Sequence, residues 1–170
     1  MDMFFGTIMT QVLQNAPQTF LVSKILRPVN TFRRIVVVVP ENASLESGFH
    51  RWLTHIQRLV SQLGARLVFY LVDFEVDDFK FLLTKYPTML QAGFIQINGW
   101  ESFEVLHNQM RQEDLLVVID ARPHTLSYVK NMERLPRILS DNFEPFSFVL
   151  LFPEQNLVVD TEGVSQQFIG

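Results

Sequence analysis

The stretch that decides the fold is RIVVVVP, residues 34–40, in which an isoleucine and four valines follow one another. These β-branched residues favour extended structure, and no polar residue alternates with them. A strand with one face in water would alternate, so this strand is expected to be buried on both faces, as in a parallel sheet. Burial of each such side chain is worth about 1.5–3 kcal/mol as an upper bound, which makes residues 34–39 the expected centre of the core.

Strand and helix patterns alternate after this central run. Further strands are predicted where apolar and β-branched residues cluster, at residues 65–72, 93–97, 114–119 and 147–152. Helices are predicted where apolar residues recur at helical spacing, at residues 45–63, 76–86, 102–110 and 129–139. Ser44 is the expected N-cap of the first helix and Gly64 its C-cap residue. The alternation predicts an α/β fold with a doubly wound, five-stranded parallel sheet, whose ligands bind at the carboxyl ends of the strands.

The first 30 residues form a unit that this alternation does not need. Apolar residues spaced four apart predict an amphipathic helix that ends at Pro17, and residues 20–22 predict a short strand. One short helix and one strand cannot be stable alone. We therefore expect a helix–strand unit with a linker at residues 1–30, an α/β domain at 31–155 and a tail at 156–170. The first unit is expected to complete a sheet within one chain or between two copies.

Composition excludes several classes of function. The chain has 170 residues with 48% hydrophobic and 19% charged content, as expected for one globular domain with a sizeable core. Its net charge of −4 leaves no surplus of cations to neutralise nucleic-acid phosphates. The absence of cysteine excludes disulfides and thiolate nucleophiles. No apolar run reaches the ~18 residues that span a bilayer, so direct membrane insertion is not expected.

No arrangement of residues predicts catalysis or metal binding. His50 and His55 are five residues apart, about 140° around a helix, so they do not share the face that an i, i+4 pair of metal ligands would share. His107 and His124 fall in different predicted elements. No G-x-S-x-G motif is present to expose a serine nucleophile. The sequence therefore predicts that the protein is not an enzyme and holds no metal.

Several short motifs resemble those of one family. Gly64-Ala65 leads into the second strand, and Gly6-Thr7 opens a helix that is followed by Ala16-Pro17 and a strand. In this order they resemble the universal stress protein domain, which carries a glycine–alanine step before its second strand and a proline before its last. The resemblance implies a Rossmann-like universal stress protein fold for residues 31–155. It also implies that residues 1–30 include the last helix and strand of a preceding repeat.

A second resemblance lies in the linker. Residues 26–37, LRPVNTFRRIVV, together with Val39-Pro40 and residues 46–49, ESGF, are similar to the cytosolic carboxyl-terminal region of bacterial cation/proton (Na+/H+) antiporters. This resemblance implies a non-catalytic regulatory or interaction domain that modulates ion exchange. Its expected location is the cytoplasm, as the soluble part of an inner-membrane protein. The alternative is a free-standing universal stress protein that binds adenine nucleotide.

The resemblance also implies partners. The membrane domain of the parent antiporter is one expected partner, and nucleic acid is not expected. A homodimer is the other, because members of the family often dimerise through the last strand. In this chain three phenylalanines add apolar surface at that strand, namely Phe146, Phe148 and Phe152.

The nucleotide motif of the family is missing. Members that bind ATP carry glycines spaced G-x-x-G, nine residues and G-[S/T] after the fourth strand, where backbone amides can surround phosphate. No glycine occurs here between Gly99 and Gly163, so ATP and other cofactors are not expected. If a ligand binds, the candidate residues are polar ones at the carboxyl ends of strands, namely Glu41, Asn42, Asp120 and Arg122. The other interpretation of these four is that they are solvated loop residues.

Overall fold

The computed structural model describes residues 18–156, and within them the chain forms a six-stranded sheet with helices on both faces. The strands are β1 (Phe20–Lys24), β2 (Arg34–Val39), β3 (Arg66–Val72), β4 (Gly93–Ile97), β5 (Asp114–Ile119) and β6 (Ser147–Phe152). Their spatial order is β1-β6-β5-β2-β3-β4, with β1 antiparallel to β6 and every other neighbouring pair parallel. The predicted α/β class is confirmed. The predicted helix before Pro17 and most of the predicted tail lie outside the described residues.

Three α-helices accompany the sheet in the described part of the chain: α1 (Phe49–Leu63), α2 (Val76–Leu82) and α3 (Leu135–Asn142). Gly64 ends α1 in the left-handed conformation (φ 59°), and its amide donates to the carbonyl of Val60, as predicted for a C-cap glycine. The prediction of Ser44 as N-cap is wrong. Ser44 lies inside a 3₁₀ turn, Ala43–Leu45, and Glu46 is extended (φ −81°, ψ 142°), so α1 begins only after Gly48.

Two other predicted helices are wholly or partly 3₁₀. Residues Trp100–Gln109 form a 3₁₀ helix, and Lys130–Arg134 form another that leads into α3. Pro136 lies in the first turn of α3, where its missing amide costs no hydrogen bond. Apolar spacing alone does not distinguish these forms, because both place residues three apart on one face.

The sheet separates two apolar clusters, as the unbroken run in β2 predicts. Ile35, Val37 and Val39 face α1 and α2, and Val36 and Val38 face the 3₁₀ helix at 100–109 and α3. All five side chains are at most 1% exposed. The strand order reverses at β2: the chain passes to β3 and β4 on one side and places β5 and β6 on the other. In open α/β sheets such a reversal leaves a crevice at the carboxyl ends of the two central strands, here β2 and β5.

β1 covers the last strand of the domain. It pairs with β6 along its whole length, from Phe20 opposite Phe152 to Lys24 opposite Phe148. The rings of Phe20 and Phe152 lie 6.2 Å apart, and Phe152 is only 3% exposed. The phenylalanines of β6 therefore do not form an edge of this sheet, because β1 lies where the edge would be.

Candidate functional site

Two of the predicted ligand residues lie in the loop after β2. Glu41 and Asn42 are exposed, and Asn42 takes the left-handed conformation (φ 61°). They line a cleft of about 440 Å³ together with acidic residues that follow β3, namely Asp73, Glu75 and Asp78. Exposed Leu45 and Phe81 add apolar wall. The cleft is open and negatively charged, which makes it unsuited to a phosphate ligand.

The other two predicted residues are buried at the end of β5. Asp120 is 4% exposed; its Oδ1 accepts from the amide of Ala121 at 2.7 Å, and its own amide donates to Leu151 O at 2.8 Å. Burial raises the pKa of Asp120 to about 8, although the bond from Ala121 opposes the rise, so the carboxyl group is mostly neutral at pH 7. Arg122 donates to the carbonyl of Gln18 before β1, and burial lowers its pKa. Neither residue lines the cleft beside Glu41, so the structure separates the four predicted residues into two pairs.

A residue that the sequence did not single out joins the loops at the carboxyl ends. The carboxylate of Glu46 is 8% exposed and accepts from the amide of Ser127 at 2.8 Å and from its hydroxyl at 2.7 Å. Its second oxygen accepts from Gln155 Nε2 at 3.2 Å. Glu46 follows β2, Ser127 follows β5 and Gln155 follows β6. One buried carboxylate therefore holds together the three loops that border the crevice.

The amino terminus of α1 is covered by the chain that follows β6. Ser47 Oγ donates to Glu154 O at 3.0 Å and accepts from the amide of Asn156 at 3.0 Å, and Arg51 Nε lies 2.9 Å from the carboxylate of Glu154. A Cβ atom added to Gly48 would lie 2.8 Å from the backbone of Glu154. In nucleotide-binding α/β folds the helix after the first parallel strand offers its amides to phosphate. Here backbone of the same molecule packs against that position.

Gly48 is the residue whose type could have indicated this contact from the sequence. It has an ordinary φ of −81°, so its backbone conformation does not require glycine, and the close approach of residues 153–154 does. A glycine that precedes a helix fits both a turn and close packing, so the sequence did not distinguish the two. Glu46 carried no signal, because a single buried carboxylate in a loop leaves no periodic pattern.

Asp73, His50 and His107 have structural contacts. Asp73, which follows β3, accepts through Oδ1 from the amide of Gly99 at 2.9 Å. His50 Nδ1 lies 3.1 Å from the hydroxyl of Tyr86, and the Nδ1 of His107 lies 2.5 Å from Glu104 O. Between residues 18 and 156, no three His, Cys, Asp or Glu side chains are grouped so that they could hold a metal ion.

Comparison with known proteins gives no family for this chain. No protein-family model matches the sequence, and no curated protein matches it. In residues 18–156 no helix has both the length and the apolar character needed to cross a membrane. The contacts at the two ends of the sheet are therefore the basis for assigning a function.

Proposed function

We propose that this chain is a non-catalytic regulatory or interaction domain of a cation/proton (Na+/H+) antiporter. In this proposal residues 31–155 form a universal stress protein-like domain with a doubly wound parallel sheet. The domain lies in the cytoplasm, contacts the membrane domain of its parent antiporter and modulates ion exchange. It contains no active site and needs no cofactor.

The covered amino terminus of α1 is the observation that carries this proposal. A nucleotide at the crevice between β2 and β5 would need free backbone amides at the start of α1 and in the loop after β5. Ser47 and Gly48 instead pack against residues 153–156, and the amide of Ser127 is bound by Glu46. Opening the site would break a buried carboxylate's hydrogen bonds, each worth about 1.5–3 kcal/mol. This cost favours an interaction domain over a nucleotide-binding enzyme or sensor.

The pairing of β1 with β6 supports the idea of two successive repeats. If residues 1–30 contain the last strand of a preceding repeat, β1 and β6 are equivalent strands of the two repeats. Their antiparallel pairing, Leu21 with Leu151 and Ser23 with Val149, is the arrangement that a two-fold relation between equivalent strands gives. The same relation between two chains, with β1 of one copy paired with β6 of the other, would give the proposed homodimer. Sedimentation equilibrium tests it, because a mass independent of concentration and equal to one chain would contradict a dimer.

Titration calorimetry with ATP tests the main proposal against its alternative. The purified chain is expected to bind neither ATP nor ADP, with or without Mg²⁺, at nucleotide concentrations up to about 1 mM, the range of weak affinities. Nucleotide retained in native mass spectrometry would favour the free-standing nucleotide-binding protein instead.

The regulatory part is tested by Na⁺-driven proton movement in inverted membrane vesicles that carry the complete reading frame. Removal of residues 31–155 should change the ion or pH dependence of exchange; unchanged exchange would contradict regulation.

A further inference from the structure

The amino ends of the parallel strands carry a continuous surface formed by the connector between β1 and β2. Residues 25–33 connect β1 to β2, and β6 and β5 lie between these two strands in the sheet. The amide of Leu26 donates to Ser147 Oγ at the start of β6 at 2.9 Å, and the amide of Arg33 donates to Glu113 O just before β5 at 2.9 Å. The connector therefore crosses the ends of β6 and β5 and forms the outside of this edge. Phe32, which is 0% exposed, anchors it to the core.

This surface exposes aliphatic side chains. Ile25 is 42% exposed, Leu26 53% and Val29 49%, and all three lie within five residues of one another in the connector. Single exposed aliphatic residues are ordinary, but three in one short connector form a local apolar patch. Arg27 is fixed beside the patch, since its Nε donates to Thr31 Oγ1 at 2.7 Å.

Cations lie along the same edge of the sheet. They come from the end of β1, the connector, the starts of β2 and β3, and the turn before β5, namely Lys24, Arg27, Arg33, Arg34, Arg66 and Arg111. Three acidic residues share this edge: Glu113, Asp114 and Glu144. Asp114 is bound by Arg34, and Arg33, Arg66 and Arg111 are exposed. The net charge of this edge is positive in a chain whose total is −4.

We propose that this amino-end surface, residues 24–34 with Arg66 and Arg111, docks on a membrane that contains anionic lipid. The arginines would lie among the lipid phosphates, and Leu26 and Val29 would enter the interface between headgroups and acyl chains. The inference deepens the proposed function and rests on it for the identity of the membrane. The argument from charge does not depend on the proposed function, because basic side chains next to exposed aliphatic ones complement a negative surface with an apolar interior. An acidic protein surface that lacks apolar side chains would use the arginines but would leave the aliphatic patch in water.

A polar cleft beside Arg66 adds room for a headgroup. It has a volume of about 490 Å³, and its polar lining comes from β2, α1, β3 and the segment before β4, namely Arg34, Gln57, Ser61, Arg66, Thr88 and Gln91. Guanidinium groups bind phosphate with matched hydrogen bonds, so a lipid phosphate could be held at the mouth of this cleft by Arg66. Docked in this way, the domain would direct its acidic carboxyl-end loops away from the bilayer.

The experiment measures sedimentation of the full chain with vesicles of 3:1 phosphatidylcholine to phosphatidylglycerol and with pure phosphatidylcholine vesicles. Binding is expected on the anionic vesicles at 50 mM salt, with a loss of about tenfold at 500 mM as charges are screened. Each juxtamembrane arginine is worth about fivefold in partitioning, so R33S/R66S should lower it about 25-fold. The matched control K130S/R137S removes the same charge from exposed positions before and within α3 and should leave binding unchanged.

Leu26→Ser is a second variant that keeps every charge. Partial insertion of this side chain predicts about tenfold weaker binding in its absence. Circular dichroism and thermal melting establish that each variant is folded. The proposal is overturned by equal binding to both vesicle types, by equal losses in the control, or by no binding of the folded chain at 50 mM salt. Retention on polyglutamate beads without vesicle binding would indicate an acidic protein partner and would also overturn it. None of these outcomes changes the result expected from the ATP titration or the exchange assay. A failure of the docking proposal can therefore be distinguished from a failure of the proposed function.

Discussion

The two ends of the sheet each contain a buried carboxylate, and the two carboxylates are bound in opposite ways. At the amino ends, Asp114 is 1% exposed and accepts from the guanidinium of Arg34 and, at 2.7 Å, from the amide of Arg111. At the carboxyl ends, Glu46 accepts from the amide and hydroxyl of Ser127 and from Gln155, and all these donors are uncharged. At the amino ends, a charged guanidinium group binds the carboxylate at the start of β5. At the carboxyl ends, uncharged loop groups bind the carboxylate that lies beside the crevice.

This difference determines where a ligand or partner can reach the molecule. Loops at the carboxyl ends of parallel strands usually offer free backbone groups to ligands. Here Glu46 and residues 153–156 use those groups internally, so that end is closed around β2 and β5. At the amino end the ion pair is internal, and Arg33 and Arg66 remain exposed outside it. Exposed cations and exposed aliphatic residues therefore share the amino end, where α/β folds do not usually bind small molecules, whereas the exposed Leu45 and Phe81 at the carboxyl end lie beside acidic residues.

The largest effect is expected from Asp120, a third buried carboxyl group, which lies at the closed end. Burial raises its pKa from 3.8 to about 8, so between these values the folded state holds a proton that the unfolded state lacks. Stability from this group is therefore fully present below pH 3.8 and is lost as pH rises toward 8. The wild type should lose about 1.4 kcal/mol per pH unit through this group, or about 4 kcal/mol from pH 5 to pH 8. Urea unfolding at several pH values measures the slope.

Asp120→Asn keeps the shape and the acceptor for the amide of Ala121 but does not titrate. Its stability should match that of the wild type below about pH 3.8, and its excess over the wild type should grow by about 4 kcal/mol between pH 5 and pH 8. Asp77→Asn, at an exposed position in the first turn of α2, is the control and should run parallel to the wild type. Parallel curves for the wild type and Asp120→Asn would mean that Asp120 is ionised in the folded protein. Closure of the carboxyl end would then include a buried negative charge.

A smaller effect is expected from removal of the amino-end carboxylate. Asp114→Ala leaves Arg34 with only the carbonyl of Gln109, 2.9 Å from Nη2, and leaves the amide of Arg111 without its acceptor. Because Arg34 is 25% exposed, water recovers part of the loss, and we expect about 3 kcal/mol of destabilisation. Chemical unfolding at pH 7 gives the value. Glu113→Ala changes the neighbouring and more exposed carboxylate and should lower the free energy of unfolding by less than about 0.5 kcal/mol. A loss as large as that of Asp114→Ala would contradict a specific role for the ion pair of Arg34 and Asp114.

The sheet could be predicted from sequence because its strands are buried on both faces. The runs in β2 and β5 contain only apolar residues after their first position, a pattern that a solvent-exposed strand does not give. Helix starts were less predictable. Ser44 has the chemistry of an N-cap, but Glu46 is held in an extended conformation by a tertiary network, and this moved the start of α1 to Phe49. At this position long-range hydrogen bonds override the local preference of serine for the N-cap.

The candidate site was predicted only in its location. Residues at the carboxyl ends of strands were named from the general rule for α/β sheets, and Glu41, Asn42, Asp120 and Arg122 do lie there. The rule does not say which of them face solvent, and the structure buries two of the four. Glu46, which binds two other loops, could not be found, because its donors Ser127 and Gln155 are 81 and 109 residues away. Such contacts follow from the folded topology, which a single sequence does not specify.

The smallest of the three effects is expected from Glu46→Ala at the closed end. It leaves the buried amide and hydroxyl of Ser127 without an acceptor, but both donors are neutral, so we expect about 2 kcal/mol of destabilisation in urea unfolding. Glu41→Ala, an exposed carboxylate in the same loop, should change stability by less than about 0.5 kcal/mol. Hydrogen exchange should also be faster at Ser127 and Asn156, because the loops after β5 and β6 lose their common partner. Equal effects of Glu46→Ala and Glu41→Ala would show that the carboxyl end is open in solution, and the difference between the two ends of the sheet would then reduce to the ion pair of Asp114.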